Sequence, residues 1–443
     1  MTDITDLSAR ALRALIGRRA VSPVEVAESA LARVAAVNPA LNAIVTLDPD
    51  RLRREARAAE AAVMAGRPLG PLHGIPVVVK DVHATGGMRT TWGSPLFADH
   101  VPARDDRLVA TLRAAGALIL GKTNTPEFAA GAHTVNPVFG LTRNPADPSR
   151  SCGGSSGGTA VALATGMAPL GTGTDLGGSL RLPASFCGVA GFRPSPGLVP
   201  SDRPEAAFGT LDVDGPMART ADDLALMLSV MSLGATPPEV PPADLVGLRI
   251  AVSPDLGRHP LAPSVRAAFA AAVGRLGPVV EAAPPLDDAD TVFGVLRALA
   301  FVAAHGERLE RHPDTVGPNV ADNVRQGLAL GVTDIAGAMA AHAALRKRFD
   351  AFMESFDVLL CPAAPVPPFP AEAPFVAEID GHRLERYFHW LGIPYALTLT
   401  GCPVACIPAG TAEGLPFGIQ VCGRRGRDAE VLGIARSLET LLA

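Results

Sequence analysis

Two hydrophobic rhythms alternate along the chain. Residues 6–18, 22–37, 105–115, 220–232, 264–276 and 290–305, much of 316–355, and 429–442 carry apolar positions three and four apart, the period of a helix with one buried face. Ser22-Pro-Val-Glu25 adds a capping box with proline at the first helical position. An alanine-rich, arginine-studded helix opens at Asp48-Pro49 and ends at Gly66. Between these segments fall short β-branched runs without alternation, above all 75–79 and 117–120, which read as strands buried on both faces. Residues 42–47, 246–252, 357–360, 403–408 and 417–421 are further strand candidates, and 159–165 is a short helix.

This succession predicts a single α/β domain over 1–443, with a mixed, largely parallel central sheet covered by helices on both faces. Residues 1–70 form an N-terminal helical segment, 71–200 a core that holds the chemistry, and 201–443 the rest of the sheet, its helices and the pocket loops. Working residues collect at strand ends in such sheets, and Lys80 and Lys122 both sit at one. The stretch 235–243 is a proline-rich linker, and 362–374 is too proline-rich for a regular element, as expected of a loop bordering a pocket.

Composition narrows the function classes. Nearly half of the 443 residues are hydrophobic, which supplies a large core, yet no apolar run reaches the length of a membrane span. The opening residues lack a signal-peptide pattern, so a cytoplasmic protein is expected. A net charge of −5, with basic runs only at 51–57, 346–348 and 424–427, argues against nucleic acid or a membrane as partner. The six cysteines show neither C-x-x-C nor metal-ligand spacing, so buried free thiols and no metal are expected. Positive charge is carried almost wholly by arginine, and the three lysines are Lys80, Lys122 and Lys347. Arginine stays protonated, whereas a buried lysine can become a base.

The candidate chemistry lies in two glycine-rich clusters, Ser151-Cys-Gly-Gly-Ser-Ser-Gly-Gly-Thr159 and Gly171-Thr-Gly-Thr-Asp-Leu-Gly-Gly-Ser-Leu-Arg-Leu-Pro183. Ser179 is the candidate nucleophile, because glycines just before it let successive N–H groups converge on one point, as an oxyanion requires. A serine needs a base, and no histidine has a comparable setting; His83 and His133 read as structural or pocket-lining. Lys80 is the alternative: its apolar approach, Val77-Val-Val79, would desolvate the ammonium and lower its pKa. A lone strand-end lysine is commonly half of an ion pair, here with Asp81, but two serine clusters accompany this one.

Gly74-Ile-Pro-Val-Val-Val-Lys-Asp81, Gly121-Lys-Thr-Asn-Thr-Pro-Glu-Phe128, Asn136-Pro-Val-Phe-Gly140, Gly153-Gly-Ser-Ser-Gly-Gly158 and Gly173-Thr-Asp-Leu-Gly-Gly-Ser-Leu-Arg-Leu-Pro-Ala-Ser185 together resemble the amidase signature family. The resemblance implies an amidase-signature-type fold and a Ser–Ser–Lys triad at Ser179, Ser155 and Lys80, with a cis peptide bond at Gly154-Ser155. It implies that neutral Lys80 takes the proton of Ser155, which relays that of Ser179 and later returns it to the leaving group. An oxyanion hole from the N–H groups of Leu176, Gly177, Gly178 and Ser179 follows, with Gly154, Ser156, Asp175 and Arg181 in support and no cofactor. An Asp175–Arg181 ion pair bracing the loop is expected beside this. The competing reading is a nucleotide-binding loop at Gly171-Thr-Gly-Thr-Asp-Leu-Gly177, but its spacing is off by one residue and no Walker lysine follows Gly153 to Gly158.

The substrate is less legible. One branch of this family is the glutamine-hydrolysing subunit of a tRNA-dependent amidotransferase, which carries an Asp where this chain has His389 and Trp390 in Phe388-His-Trp-Leu-Gly-Ile-Pro394. Ala129, Ala130, Phe388, His389, Trp390 and the loop 362–374 are expected to form an open, mostly apolar pocket. The expected reaction is hydrolysis of neutral amides and anilides, extending to esters and carbamates (urethanes). The substrate is the expected partner, and a homodimer is compatible with the sequence.

Overall fold

Three consecutive valines fix the centre of the molecule. Val77 and Val79 join one hydrophobic cluster with Leu108, Leu112, Leu224 and Leu438, whereas Val78 points into another with Ala27, Leu52, Val161 and Ala184. A strand whose alternate residues enter two separate cores must have helices on both faces. The computed structural model describes residues 3–203 and 209–443 and shows this arrangement.

Eleven strands form one sheet: β1 (Ile44–Leu47), β2 (Pro76–Lys80), β3 (Leu118–Thr123), β4 (Leu170–Asp175), β5 (Ala190–Arg193), β6 (Val213–Ala218), β7 (Ile250–Val252), β8 (Val280–Glu281), β9 (Val358–Pro362), β10 (Val404–Ala412) and β11 (Leu415–Cys422). Their spatial order is β1-β3-β2-β4-β6-β5-β10-β11-β9-β7-β8. The sheet is mixed, as expected. Parallel pairing joins β3, β2 and β4 in one wing and β9, β7 and β8 in the other, while the strands between them run antiparallel. Parallel neighbours need a long crossover, and the wings are where helices separate the strands in sequence.

One face is covered by α1 (Ala9–Gly17), α4 (Arg107–Ala114), α7 (Ala221–Met231) and α13 (Asp428–Leu442), the other by α2 (Pro23–Leu41), α3 (Pro49–Met64), α5 (Gly157–Ala164) and α6 (Arg181–Cys187). The remaining helices are α8 (Pro263–Val273), α9 (Ala289–Arg311), α10 (Pro318–Leu328), α11 (Val332–Glu354) and α12 (Gly392–Thr400). The capping box at Ser22 is present, with Ser22 N–H on Glu25 Oε2 at 2.8 Å and Val24 N–H on Ser22 Oγ at 2.9 Å.

Some boundaries differ from the sequence expectation. Only Ile250–Val252 of 246–252 is strand, and Val246 is solvent-exposed. The helical stretch 316–355 breaks at Gly331 into α10 and α11. No membrane-length apolar run was expected, yet α9 matches a spanning helix in length and composition; it packs instead against α10, α11 and α12. Met1 and Thr2, part of the opening read for targeting, lie outside the described residues.

Candidate active site

Strand β2 delivers Lys80 to the C-terminal edge of the parallel wing, beside β4. Its own N–H donates to Thr172 Oγ1 on β4 at 3.0 Å, which locks the register there. The Lys80 side chain is fully buried, and Nζ contacts three hydroxyls: Ser155 Oγ at 2.7 Å, Thr174 Oγ1 at 2.8 Å and Ser156 Oγ at 3.0 Å. No carboxylate among the described residues pairs with it, and burial pushes the ammonium down to about 7 despite the more distant Asp212, Asp175 and Asp214. A lysine held this way can be neutral at physiological pH, with a hydroxyl already in proton-transfer reach.

Ser155 and Ser156 immediately precede α5, and the Gly154–Ser155 peptide bond is cis. Ser156 Oγ also accepts the N–H of Thr174 at 3.3 Å, so it links the helix to β4.

Ser179 lies in the turn between β4 and α6, where Asp175 organises the backbone. One Asp175 oxygen accepts the N–H of Gly178 at 2.8 Å and the other that of Leu180 at 3.2 Å. Arg181 closes a two-pronged pair on the same carboxylate, Nη2 to Oδ1 at 2.9 Å and Nε to Oδ2 at 3.0 Å. Burial opposes the Asp175 charge, but Arg181, Arg193 and the N–H of Gly178 overcome it and hold the carboxyl well below the usual range. Arg181 reaches onward to the carbonyl of Pro394, to Thr398 Oγ1 and to Gln420 Oε1. Gly178 needs to be glycine: its φ is +115°, and a Cβ would stand 2.6 Å from Pro394 Cβ.

This arrangement corrects the expected oxyanion cradle. The Gly178 N–H is engaged by Asp175, because the carboxylate that shapes the turn must take one of its amides. The N–H groups of Leu176, Gly177 and Ser179 have no acceptor among the described residues.

Ser155, Thr174, Leu176, Gly177 and Ser179 line one cavity of about 720 Å³. Of the expected pocket residues, Ala129 lines it, whereas Ala130, Phe388, His389 and Trp390 do not. Trp390 is buried against Phe186 and edge-on to Phe369 of the proline-rich loop, so loop and tryptophan complete the core behind the site. Phe388 packs edge-on to Phe293 and Tyr387.

The wall is supplied instead by α9, through Phe293, Arg297, Ala300, Phe301, Ala304, His305 and Arg308, with Trp92, Phe128, Tyr387 and Leu391. The opposite side is charged: Arg104, Arg107 and Arg203 stand among Asp105, Asp106, Asp202 and Asp212. The cavity therefore joins an aromatic, largely apolar wall to a group of charged residues that the sequence expectation did not include. A signal for this wall existed in the sequence. Arg297 and His305 interrupt the apolar stripe of α9 at helical spacing from Phe293 and Phe301, and polar residues on a buried stripe mark a site or a partner.

Both histidines near the motifs are accounted for. His133 bridges Ser151 Oγ at 2.7 Å and the carbonyl of Ala371 at 3.0 Å. His83 is buried between Asp106 and Asp214, at 3.4 and 3.8 Å. The nucleotide-loop reading is overturned, since Leu170–Asp175 is an interior strand paired on both sides and has no loop with which to cradle phosphate. All six cysteines are buried free thiols. Among the described residues no group of three His, Cys, Asp or Glu could hold a metal ion.

The sequence matches the amidase family over residues 25–432. It is 34% identical to an acylamidase from Rhodococcus erythropolis, covering 98% of this chain and 95% of that protein. It is 32% identical to a glutamyl-tRNA(Gln) amidotransferase subunit from Chloroflexus aurantiacus, covering 100% of this chain and 98% of that protein. The fold superposes on the crystal structure of a bacterial aryl acylamidase of the amidase signature family with a TM-score of 0.90 and 26% identity, over 98% of this chain and 96% of that one. With the signature core and the whole fold in agreement, the chain belongs to the amidase signature family and is a hydrolase acting on carbon–nitrogen bonds.

Proposed function

We propose that this protein hydrolyses linear amides and anilides of small organic acids through an acyl-enzyme on Ser179. The observation that carries the reading is the Lys80 ammonium group, buried, surrounded by hydroxyls and without a carboxylate, with Ser155 at 2.7 Å and Ser179 on the same cavity. Neutral Lys80 accepts the proton of Ser155 as Ser155 takes that of Ser179, whose oxygen attacks the amide carbon. The N–H groups of Leu176, Gly177 and Ser179 stabilise the oxyanion. Ser155 then returns a proton to the leaving amine, and water releases the acyl group by the same relay. Aryl esters share the carbonyl and a better leaving group and would be cleaved as well; carbamates extend the same chemistry.

Glutamine hydrolysis for a tRNA-dependent amidotransferase is the second reading, favoured by the relatives of that name. Against it stands the state of the carboxylates on the cavity wall. Asp105 accepts from Gly86 and Arg113, Asp106 from Val109, and Asp202 from Arg107, while Asp212 pairs with Arg203. Asp105 and Asp212 are thus already paired with arginines, Asp106 and Asp202 each hold a backbone N–H on one oxygen, and the aromatic wall presents no carboxylate to the ammonium of free glutamine, which is costly to leave unpaired.

A fluorophosphonate probe followed by mass spectrometry should place one adduct on Ser179, and Ser179→Ala should lose all measurable turnover of acetanilide and p-nitrophenyl acetate. An adduct on another residue, or glutamine as the preferred substrate, would refute this assignment.

A further inference from the structure

Arg297 is the buried guanidinium on the aromatic wall, and the catalytic account leaves it without a task. It projects from α9, is only 7% exposed, and stands over the rings of Phe301 at 4.7 Å, Phe388 at 5.1 Å, Tyr387 at 5.3 Å and Phe293 at 5.8 Å. Its Nε donates to Asn323 Oδ1 at 3.0 Å and its Nη2 to the hydroxyl of Tyr387. Asn323 Nδ2 donates to the same hydroxyl at 2.6 Å, so the guanidinium plane is fixed from two sides. Among the described residues no carboxylate pairs with Arg297, and its Nη1 has no acceptor.

Aromatic faces stabilise a cation in part, but a buried charge with neutral partners alone is expensive beside one that is paired. Among the other arginines of the cavity, Arg203 pairs with Asp212 and Asp214, Arg104 and Arg107 are solvent-exposed, and Arg308 is only partly buried and donates to the carbonyl of Ala304 at 2.6 Å. A fixed guanidinium with a free N–H on a cavity wall presents the fork that binds carboxylates. Beside Arg297 the wall is aromatic and presents no carboxylate, so the complementary group at this place is an anion.

We propose that Arg297 anchors a carboxylate carried by the amide substrate away from the scissile bond. The proposal rests on the hydrolase reading for the identity of the substrate, but not for the binding of the carboxylate. It refines the neutral-amide expectation: the reacting amide is uncharged and the remote end is anionic.

Two measurements separate the two claims. In the first, benzoate and phenylacetate are titrated by calorimetry into the wild type and into Arg297→Met, with benzyl alcohol as the uncharged control. Binding of the carboxylates that weakens about 10- to 100-fold in the variant, as loss of a charge-assisted pair implies, with the alcohol unaffected, supports the anchor. Equal binding to both proteins overturns it, whatever the enzyme hydrolyses. In the second, acetanilide is compared with 4-acetamidobenzoate and succinanilic acid, which carry the carboxylate on the amine and acyl sides. Arg297→Met should raise KM for a carboxylated substrate about 10- to 100-fold and leave acetanilide within about twofold. A parallel loss on all three substrates means that Arg297 only braces α9 and Tyr387, and the proposal falls. If carboxylates bind through Arg297 but glutamine is the compound hydrolysed best, the anchor stands and the proposed substrate class falls. Arg297→Lys keeps the charge without the fork; where the methionine variant fails to fold, an intermediate loss confined to the carboxylated compounds supports the anchor equally, and no selective loss overturns it.

Discussion

Lys80 and Lys122 lie one register position apart near the ends of adjacent parallel strands and both are fully buried, yet their surroundings differ. Lys80 faces three hydroxyls, of which those of Ser155 and Thr174 belong to residues that line the cavity. Lys122 donates to the carbonyl of His83 and to the hydroxyls of Thr90 at 3.0 Å and Thr85 at 3.1 Å, with Asp81 Oδ1 at 3.7 Å, and none of these partners lines the cavity. Burial lowers Lys122 to about 8, against a pull from Asp81 in the other direction. Asp81 in turn is pushed up by burial and held by the N–H and hydroxyl of Thr91 at 3.0 and 2.6 Å. Desolvation is common to both lysines. Both contact hydroxyls, and what separates them is the rest of their company: the partners of Lys80 include residues that line the cavity, which suits it to a proton relay, whereas Lys122 has a carbonyl and a nearby carboxylate, which suits it to a structural cation.

The strongest way to break this comparison is Lys80→Arg, which preserves charge and approximate reach but cannot deprotonate. It should lower kcat/KM at neutral pH by about a thousandfold, in the range for loss of a general base, without loss of fold. Normal activity in that variant would mean that another group is the base. Next in size is Lys122→Met, which leaves Asp81 buried without its cation and should cost about 3 kcal/mol in denaturant unfolding. If that protein were as stable as the parent but inactive, the roles of the two lysines would have to be exchanged.

The smallest effect is also the most diagnostic. Because the folded Lys80 titrates near 7, below its ordinary 10.5, the neutral form predominates only above that pH. Activity on acetanilide should therefore rise with pH through about 7, falling about tenfold per unit on the acid side. The residual rate of Lys80→Ala should lack this limb. Its persistence there would assign the limb to a different group.

What the sequence revealed and what it hid divide along physical lines. The strand at 75–79 was readable because a β-branched run buried on both faces has no competing explanation, and Lys80 follows from its end. Strand β4 was not, because Gly-Thr-Gly-Thr-Asp has the composition of a loop. Its glycines answer to packing: a Cβ on Gly173 would lie 2.5 Å from Leu180 Cδ2 and 2.7 Å from Ser156 Oγ. Neighbours brought in by the adjoining helices set that constraint, so the propensity of the strand itself cannot report it. The pocket failed for a related reason. Phe388 and Trp390 are aromatic and near the motif residues, but whether such a ring lines a cavity or fills a core depends on what stands opposite, and for Trp390 that is Phe186 and Phe369.

The reach of Arg181 across the molecule also bears on when the protein acquires its function. Lys80, Ser155 and Ser179 have all been synthesised once the ribosome passes the end of the second glycine cluster, but the turn that carries Ser179 is tied through Arg181 to Pro394, Thr398 and Gln420. A nascent chain thus holds these three side chains for most of translation without the contacts of that turn. The frame around Ser179 is complete only when residues of α12 and β11 are in place, so the setting of the candidate nucleophile depends on the last stretch to be synthesised.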